Sequence, residues 1–344
     1  MYSSNILKNI FATCSPSGHE ESFRALLKEM VSPFVNDIIE DIHGNLICYK
    51  RGADPICDKT IMFVAHMDEV GLMVSYIEDS GFIRFTRIGG VDLLLLTGRI
   101  VKIIHSGAAV PGIIGAKPYH MKSHCNEREP DESEFWIDIG ISGRKEVEKL
   151  VSIGDCIVID SPYTELSTDL IASRGCDDKA GVISLIKMLE LIKDADIKSN
   201  IAVVFSVQEE VGLRGAKTSS YFVSPDICIA VDVAHATDYP SINKAKYGDI
   251  YIGGGPVISL GSDLTTSVQN ELKDIAHHKG ISFQRHALPG ASGTDINAIQ
   301  VNKSGCATGL ISIPCRYMHS PTEVISLSDV DSVSEILAAF CKSK

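Results

Sequence analysis

The chain has 344 residues, 32 of them Lys or Arg and 44 Asp or Glu, and its net charge of −12 argues against nucleic acid or an anionic membrane as a partner. With 44% hydrophobic and 22% charged residues it has a soluble globular composition, and its length suggests about two domains at roughly 150 residues each. No apolar run reaches membrane-spanning length and no N-terminal stretch has the layout of a secretory signal, so a cytoplasmic protein is expected.

Ser17, followed three residues later by Glu20, has the spacing of a capping box ahead of Phe23, Leu26, Leu27 and Met30, whose period predicts a helix. DIIEDI and LICYK, joined through His43, Gly44 and Asn45, predict a hairpin. Thr60–Ala65 (TIMFVA) predicts a central strand, and it runs straight into His66, Met67, Asp68 and Glu69. From about Val70 to Pro162 short alternating segments separated by Gly and Ser turns predict a small antiparallel barrel or sandwich. One short helix near Arg144–Val151 and a polar, mobile loop at Tyr119–Ser133 interrupt it. After Leu166 helices and strands alternate. A helix from about Asp178 to Ile192 leads to the apolar strand that opens at Ile201, then a strand Ile227–Val231, a helix near Asp263–Lys279, a last strand Gly309–Ile313 and a terminal helix Ser328–Cys341. This rhythm implies an α/β fold with a mostly parallel sheet covered on both faces. The β-rich block, 70–165, is expected to be inserted into an α/β domain made of 1–69 and 166–344. The ten cysteines are scattered and none forms a C-x-x-C pair, which fits reduced thiols better than a disulfide framework.

Four apolar strands end in groups that ligate metals: His66 and Asp68 after the first, Glu209 and Glu210 after IAVVFSVQ, Asp232 after ICIAV, and His319 shortly after GLISIP. In open α/β sheets ligands bind beyond the carboxyl ends of the strands, so residues far apart in sequence belong on one rim. Asp177 and Asp178 join them at a helix start. Taken singly, each piece has a plain reading. The glutamate pair suits a solvated loop, the aspartate pair suits helix capping, and a lone histidine suits the core or the surface. Together they form a set of imidazoles and carboxylates that suits two divalent metal ions, Zn²⁺ or Co²⁺ first, with Mn²⁺ also compatible. Such ions can activate a water and polarise a carbonyl, with the spare glutamate as proton shuttle. His120 and His124 read as loop histidines, Gly253–Pro256 as a turn, and His235 as either a neighbour of the ligands or a structural residue.

The motifs AHMDEVGLMV, GAKPYHM, CDDKAGV, QEEVGLRGA, VDVAHATD, GASGTD and RYMHSPTEV, in this order, closely resemble the tetrahedral aminopeptidase family. That family includes glutamyl aminopeptidases and some proteins once labelled endoglucanases. The resemblance spans essentially the whole chain. It implies a phosphorylase/hydrolase-like three-layer αβα catalytic domain with an inserted β-rich, barrel-like dimerisation domain. It also implies a dinuclear metal centre within a large homo-oligomer, commonly a dodecamer built from dimers. Carried over motif by motif, His66, Asp177, Glu210, Asp232 and His319 are the expected metal ligands. Asp177 falls at the bridging position, with a cis peptide bond to Asp178. Asp68 is the expected orienting acid and Glu209 the general base. The departures from the family's pattern lie around Lys122–Glu132. The implied activity is release of N-terminal residues from peptides with a free amine, with the preferred residue open. Alternatives are an amidohydrolase, deacylase or deblocking peptidase on the same centre, a metal-binding assembly protein without catalysis and, more remotely, an endoglucanase.

Overall fold

The computed structural model describes residues 4–54, 56–121 and 130–344. Helices α1 (Ser4–Ala12) and α2 (Glu21–Val31) precede the hairpin β1 (Asp37–Glu40) and β2 (Leu46–Lys50) and the strand β3 (Thr60–His66). Next come β4 (Gly71–Ile77), β5 (Ile83–Ile88), β6 (Ile100–His105), β7 (Ala108–Ala116), β8 (Phe135–Asp138), the single-turn helix α3 (Arg144–Val147) and β9 (Cys156–Ile159). These six strands close into a barrel in the order β4-β5-β8-β7-β6-β9. The chain then returns through β10 (Thr164–Glu165), β11 (Leu170–Ser173), α4 (Cys176–Leu191), β12 (Asn200–Ser206), α5 (Arg214–Val223) and β13 (Ile227–His235). It ends with α6 (Lys244–Tyr247), β14 (Val257–Gly261), α7 (Thr266–Lys279), β15 (Gln284–Leu288), α8 (Ile296–Gln300), β16 (Ala307–Arg316), β17 (Glu323–Ser326) and α9 (Leu327–Lys342).

The second sheet has eleven strands, and at its centre β12, β3, β13 and β16 run parallel as neighbours. Side chains alternate across it. Phe63, Ala65, Val203 and Phe205 pack on one face in a core shared with α1, α2, α4, α7 and α9. Met62, Val64, Ala202 and Val204 pack on the other, against α5 and α8. Covering on both faces explains why these strands read as unbroken apolar runs. The architecture is therefore the expected three-layer αβα sandwich with a β-barrel threaded between β3 and β10. The barrel has a separate core around Leu72, Val74, Ile83, Val101, Ile137 and Ile157.

Several local expectations change. Ser17 and Glu20 do not form a capping box: α2 begins at Glu21 without a side-chain cap. Glu20 Oε1 accepts from the Gly18 N–H at 2.7 Å and the Ser17 hydroxyl donates to Asp68 Oδ2 at 2.6 Å. The strand at 309–313 is not the last, since β17 follows it and pairs antiparallel with both β16 and β11. β14, β15, α5 and α8 also went unread, being short or rich in polar residues. Of the predicted loop at 119–133, residues 122–129 lie outside the described residues, His124 among them. Its two ends form single 3-10 turns, and His120 is exposed there. Among the described residues no helix is long and apolar enough to cross a membrane.

Candidate active site

Parallel order delivers the polar strand ends to one rim. β3 and β12 end side by side at His66 and Ser206, while β13 and β16 run on together to His235 and Arg316 before the chain turns through Tyr317 and His319, both at φ 63°. Gln208, at φ 57°, makes the equivalent turn after β12. A positive φ is uncommon outside glycine and is found where surrounding structure enforces it. Here the turns aim Glu209, Glu210 and His319 back over the rim.

His66 is buried, with Nε2 at 3.0 Å from Asp177 Oδ1 and 3.9 Å from Asp232 Oδ1. On the other side His319 Nε2 lies 3.4 Å from Asp177 Oδ2 and 3.4 Å from Glu210 Oε1. Asp177 thus stands between two half-sites, one oxygen facing each histidine. Its peptide bond to Asp178 is cis, as the resemblance implied. Asp178 has the plainer role: its carboxylate accepts from the Gly181 N–H at 2.9 Å and caps α4. Glu209 lines the same cleft of about 310 Å³. Its side chain makes no hydrogen bond among the described residues.

Asp68 is fully buried beneath these groups. The Glu209 and Glu210 N–H groups donate to its two oxygens at 3.0 and 3.2 Å, and its own carbonyl lies 3.0 Å from His66 Nδ1. It therefore holds the glutamate turn through its carboxylate and the histidine ring mainly through its backbone; its carboxylate is 3.6 Å from Nδ1.

Further acids that were not singled out from sequence lie beside this rim, Glu323 and Glu69 among them. Glu323, on β17, accepts from the Asp177 N–H at 3.0 Å and from the His319 N–H at 2.9 Å, tying both faces of the cluster together. Glu69 sits behind the start of α4, where it is bound by the Arg174 guanidinium, by Lys179 Nζ at 3.3 Å and by the Ser15 N–H at 2.9 Å. Gly175, at φ 61°, makes the turn beside it, where a Cβ would lie only 2.4 Å from Glu69 Oε2. A glutamate directly after Asp68 and another four residues beyond His319 were the available signals.

The chain's likeness to known proteins agrees with this geometry. It is 31% identical to the lysyl aminopeptidase of Pyrococcus furiosus over 339 residues, covering 97% of this chain and 95% of that one. An aminopeptidase structure from the archaeon Desulfurococcus kamchatkensis is 37% identical with a TM-score of 0.92, over 99% of this chain and 94% of that one. The TET1 peptidase of Pyrococcus horikoshii, which can assemble into a tetrahedron or a large octahedral shell, is 30% identical with a TM-score of 0.86 over 98% of each chain. Residues 44–336 match the M42 glutamyl aminopeptidase family. The chain belongs to that family.

As an M42 aminopeptidase it is a hydrolase acting on peptide bonds, in a metal-dependent family. The residues at the rim fit a bound metal. Burial, reinforced by Asp232, Asp295 and Glu210, pushes Glu209 up to about 10. Burial and then Asp177 push Asp232 to about 8 and Glu323 to about 8. Burial likewise raises Glu210 and Asp178. Hydrogen bonds from His319 and His66 outweigh burial at Asp177 and hold its carboxyl low. His319, hydrogen-bonded to Asp177 and then Glu210, rises to about 11. At His66 burial works downward, but hydrogen bonds to Asp177 and Asp68 prevail and the imidazole is raised. Among the described residues that line this cleft the imidazoles are the only groups able to carry positive charge, so the cluster favours protonated acids where added cations would let them ionise. Donor atoms of His66, Asp177 and Glu210 lie within 4.8 Å of one another, as do those of His66, Asp178 and Asp232. Asp178 Oδ2 and Asp295 Oδ1 are buried without a hydrogen-bond partner, a further sign of a site lacking positive charge.

Proposed function

We propose that this aminopeptidase works with two divalent cations, Zn²⁺ or Co²⁺ by the chemistry of the donors, and with Glu209 as general base. His66 and Asp232 would hold one cation, His319 and Glu210 the other, and Asp177 would serve both. When bound, the pair supplies Lewis acidity to the peptide's amine and scissile carbonyl and to water. The observation that carries this reading is the division of the rim by Asp177, one oxygen toward each histidine.

Glu209 takes the proton of the attacking water and returns it to the nitrogen of the departing peptide. Support for this role comes from its place in the cleft wall, its uncommitted carboxyl and the Asp68 hydrogen bond that fixes its backbone. Asp68 and Glu323 act as positioning residues. Glu209→Gln keeps the metal and lowers kcat by about 10²–10⁴-fold, the usual contribution of a positioned acid–base group. Turnover near wild type at full metal loading would remove Glu209 from the role. Because the free amine is part of what is bound, an N-acetylated peptide is not cleaved; equal cleavage would favour a deacylase or deblocking enzyme.

The barrel, within residues 70–165, is proposed as the dimerisation unit of a larger homo-oligomer, a dodecamer in the fullest form. Exposed Leu94, Ile100, Ile113 and Ile153 on it support this. Light scattering on the whole chain tests it, and a monomer at micromolar concentration would rule it out.

A further inference from the structure

Past the ring of acids and imidazoles the cleft continues between β13, β14, β15 and β16. Val233, Leu288, Leu310 and Met318 wall this recess, and Ser259 and Ser312 also line it. The proposed mechanism fixes the substrate's amine and first carbonyl at the ligand rim. The part of the first residue left to fill the recess is then its side chain. The recess therefore decides which N-terminal residue is removed.

Its chemistry is one-sided. Among the described residues no lysine or arginine lines the cleft, and the carboxylates that do (Asp177, Glu209, Glu210 and Asp232) all belong to the rim. Ser259 and Ser312 are each 2% exposed, and neither hydroxyl has a hydrogen-bond partner among the described residues. They leave neutral donors and acceptors beside the apolar wall. His286 also lines the cleft, and burial pushes its imidazole below the ordinary histidine value. His235, exposed at the end of β13, is the remaining imidazole there. A carboxylate or ammonium side chain entering the recess would lose its water without gaining an opposite charge. An aliphatic side chain would gain contact with Leu288, Leu310 and Met318.

We infer that the recess selects an uncharged N-terminal residue of medium size, leucine or methionine, and discriminates against glutamate and lysine. This rests on the proposed seating of the amine and carbonyl. Leu288, half-buried on β15, is the residue through which the preference can be rewritten.

The test is kcat/KM of the whole protein, reconstituted with Zn²⁺ or Co²⁺, on fluorogenic amides of Leu, Met, Gln, Glu, Lys and Arg. Leucine or methionine should exceed glutamate and lysine by at least about tenfold, the lower end of what an apolar pocket achieves against one misfit group. A smaller ratio, or a charged residue in front, overturns the inference while leaving the proposed function standing. No turnover of any unblocked amide overturns both. In a second arm, Leu288→Arg should raise the glutamate-to-leucine ratio by about tenfold. An unchanged ratio in a folded, metal-loaded variant would show that the side chain binds elsewhere. If that variant fails to fold, the wild-type panel still decides.

Discussion

Two clusters of buried charge lie back to back at the start of α4, and the chain supplies them with adjacent residues: Asp68 and Glu69 after β3, Asp178 and Lys179 at the helix start. The cluster around Glu69 is closed by protein groups. Arg174 and Lys179 outweigh burial and hold its carboxyl at about 2. Lys179 itself falls to about 8, because burial and the neighbouring Arg174 oppose it while one carboxylate is shared between two cations. Among the described residues no lysine or arginine lines the cleft at Asp177 and Asp232, and Arg174, which shares a smaller neighbouring cavity with Asp177 and His319, is already spent on Glu69. Burial of charge is common to both. What separates scaffold from site is whether the chain brings its own counter-charge.

The same chemical change on the two clusters should therefore act in opposite ways. Asp232→Asn removes a proposed ligand and, at the same time, a carboxyl that burial pushes up to about 8. Turnover should fall by on the order of a thousandfold, the range for loss of an essential group, together with bound metal per chain. The metal-free variant should melt no lower than metal-free wild type. A large loss of metal-free stability would mean that Asp232 is structural and that the contrast is false.

Glu69→Gln is expected to do the reverse, destabilising the fold by about 3–5 kcal/mol because two cations are left buried without their partner. A urea midpoint at constant m-value measures this. The pH dependence carries the same information. Glu69 titrates near 4.5 in the unfolded chain and near 2 in the folded one. Its contribution, about 3 kcal/mol by linkage, is fully present above pH 4.5 and is lost as pH falls toward 2. Wild type should therefore lose that increment on acidification, and the glutamine variant should lack it. Parallel pH profiles for the two proteins would show that Arg174 and Lys179 do not depend on Glu69.

How much of this was legible in sequence follows the same division. Strand ends at His66, Glu209–Glu210 and Asp232 were readable because unbroken apolar runs stop abruptly at imidazole or carboxylate side chains. Asp177 and His319 took their roles from the motif resemblance, and Asp177 alone would have passed for a helix cap like its neighbour. Ser17 was misread because Ser-x-x-Glu spacing matches a capping box, whereas its hydroxyl is spent on Asp68. Glu69 and Glu323 escaped notice for a different reason. Glu69 depends on cations more than a hundred residues later, and Glu323 on backbone N–H groups, which leave no mark in a sequence. β14 and β15, which line the recess, are five residues each, and β14 follows directly on the glycine cluster that reads only as a turn.

Glu323 tests the boundary between the two clusters, since it is buried like Glu69 yet engages the rim. Its carboxylate oxygens receive one N–H from Asp177 and one from His319, so it fixes two proposed ligands that lie far apart in sequence without facing a cation itself. Glu323→Gln keeps the size and one acceptor oxygen but turns an NH₂ toward the other backbone N–H, which loosens one ligand of the pair. Metal affinity, read from the visible spectrum as Co²⁺ is titrated into metal-free protein, should weaken by about 10- to 100-fold, as expected when a group supporting a ligand is changed. The melting temperature of the metal-free protein should change little, because burial pushes the Glu323 carboxyl up to about 8 and the neutral amide replaces it at similar size. Unchanged Co²⁺ affinity with a large drop in metal-free stability would place Glu323 with Glu69, on the scaffold side of the division.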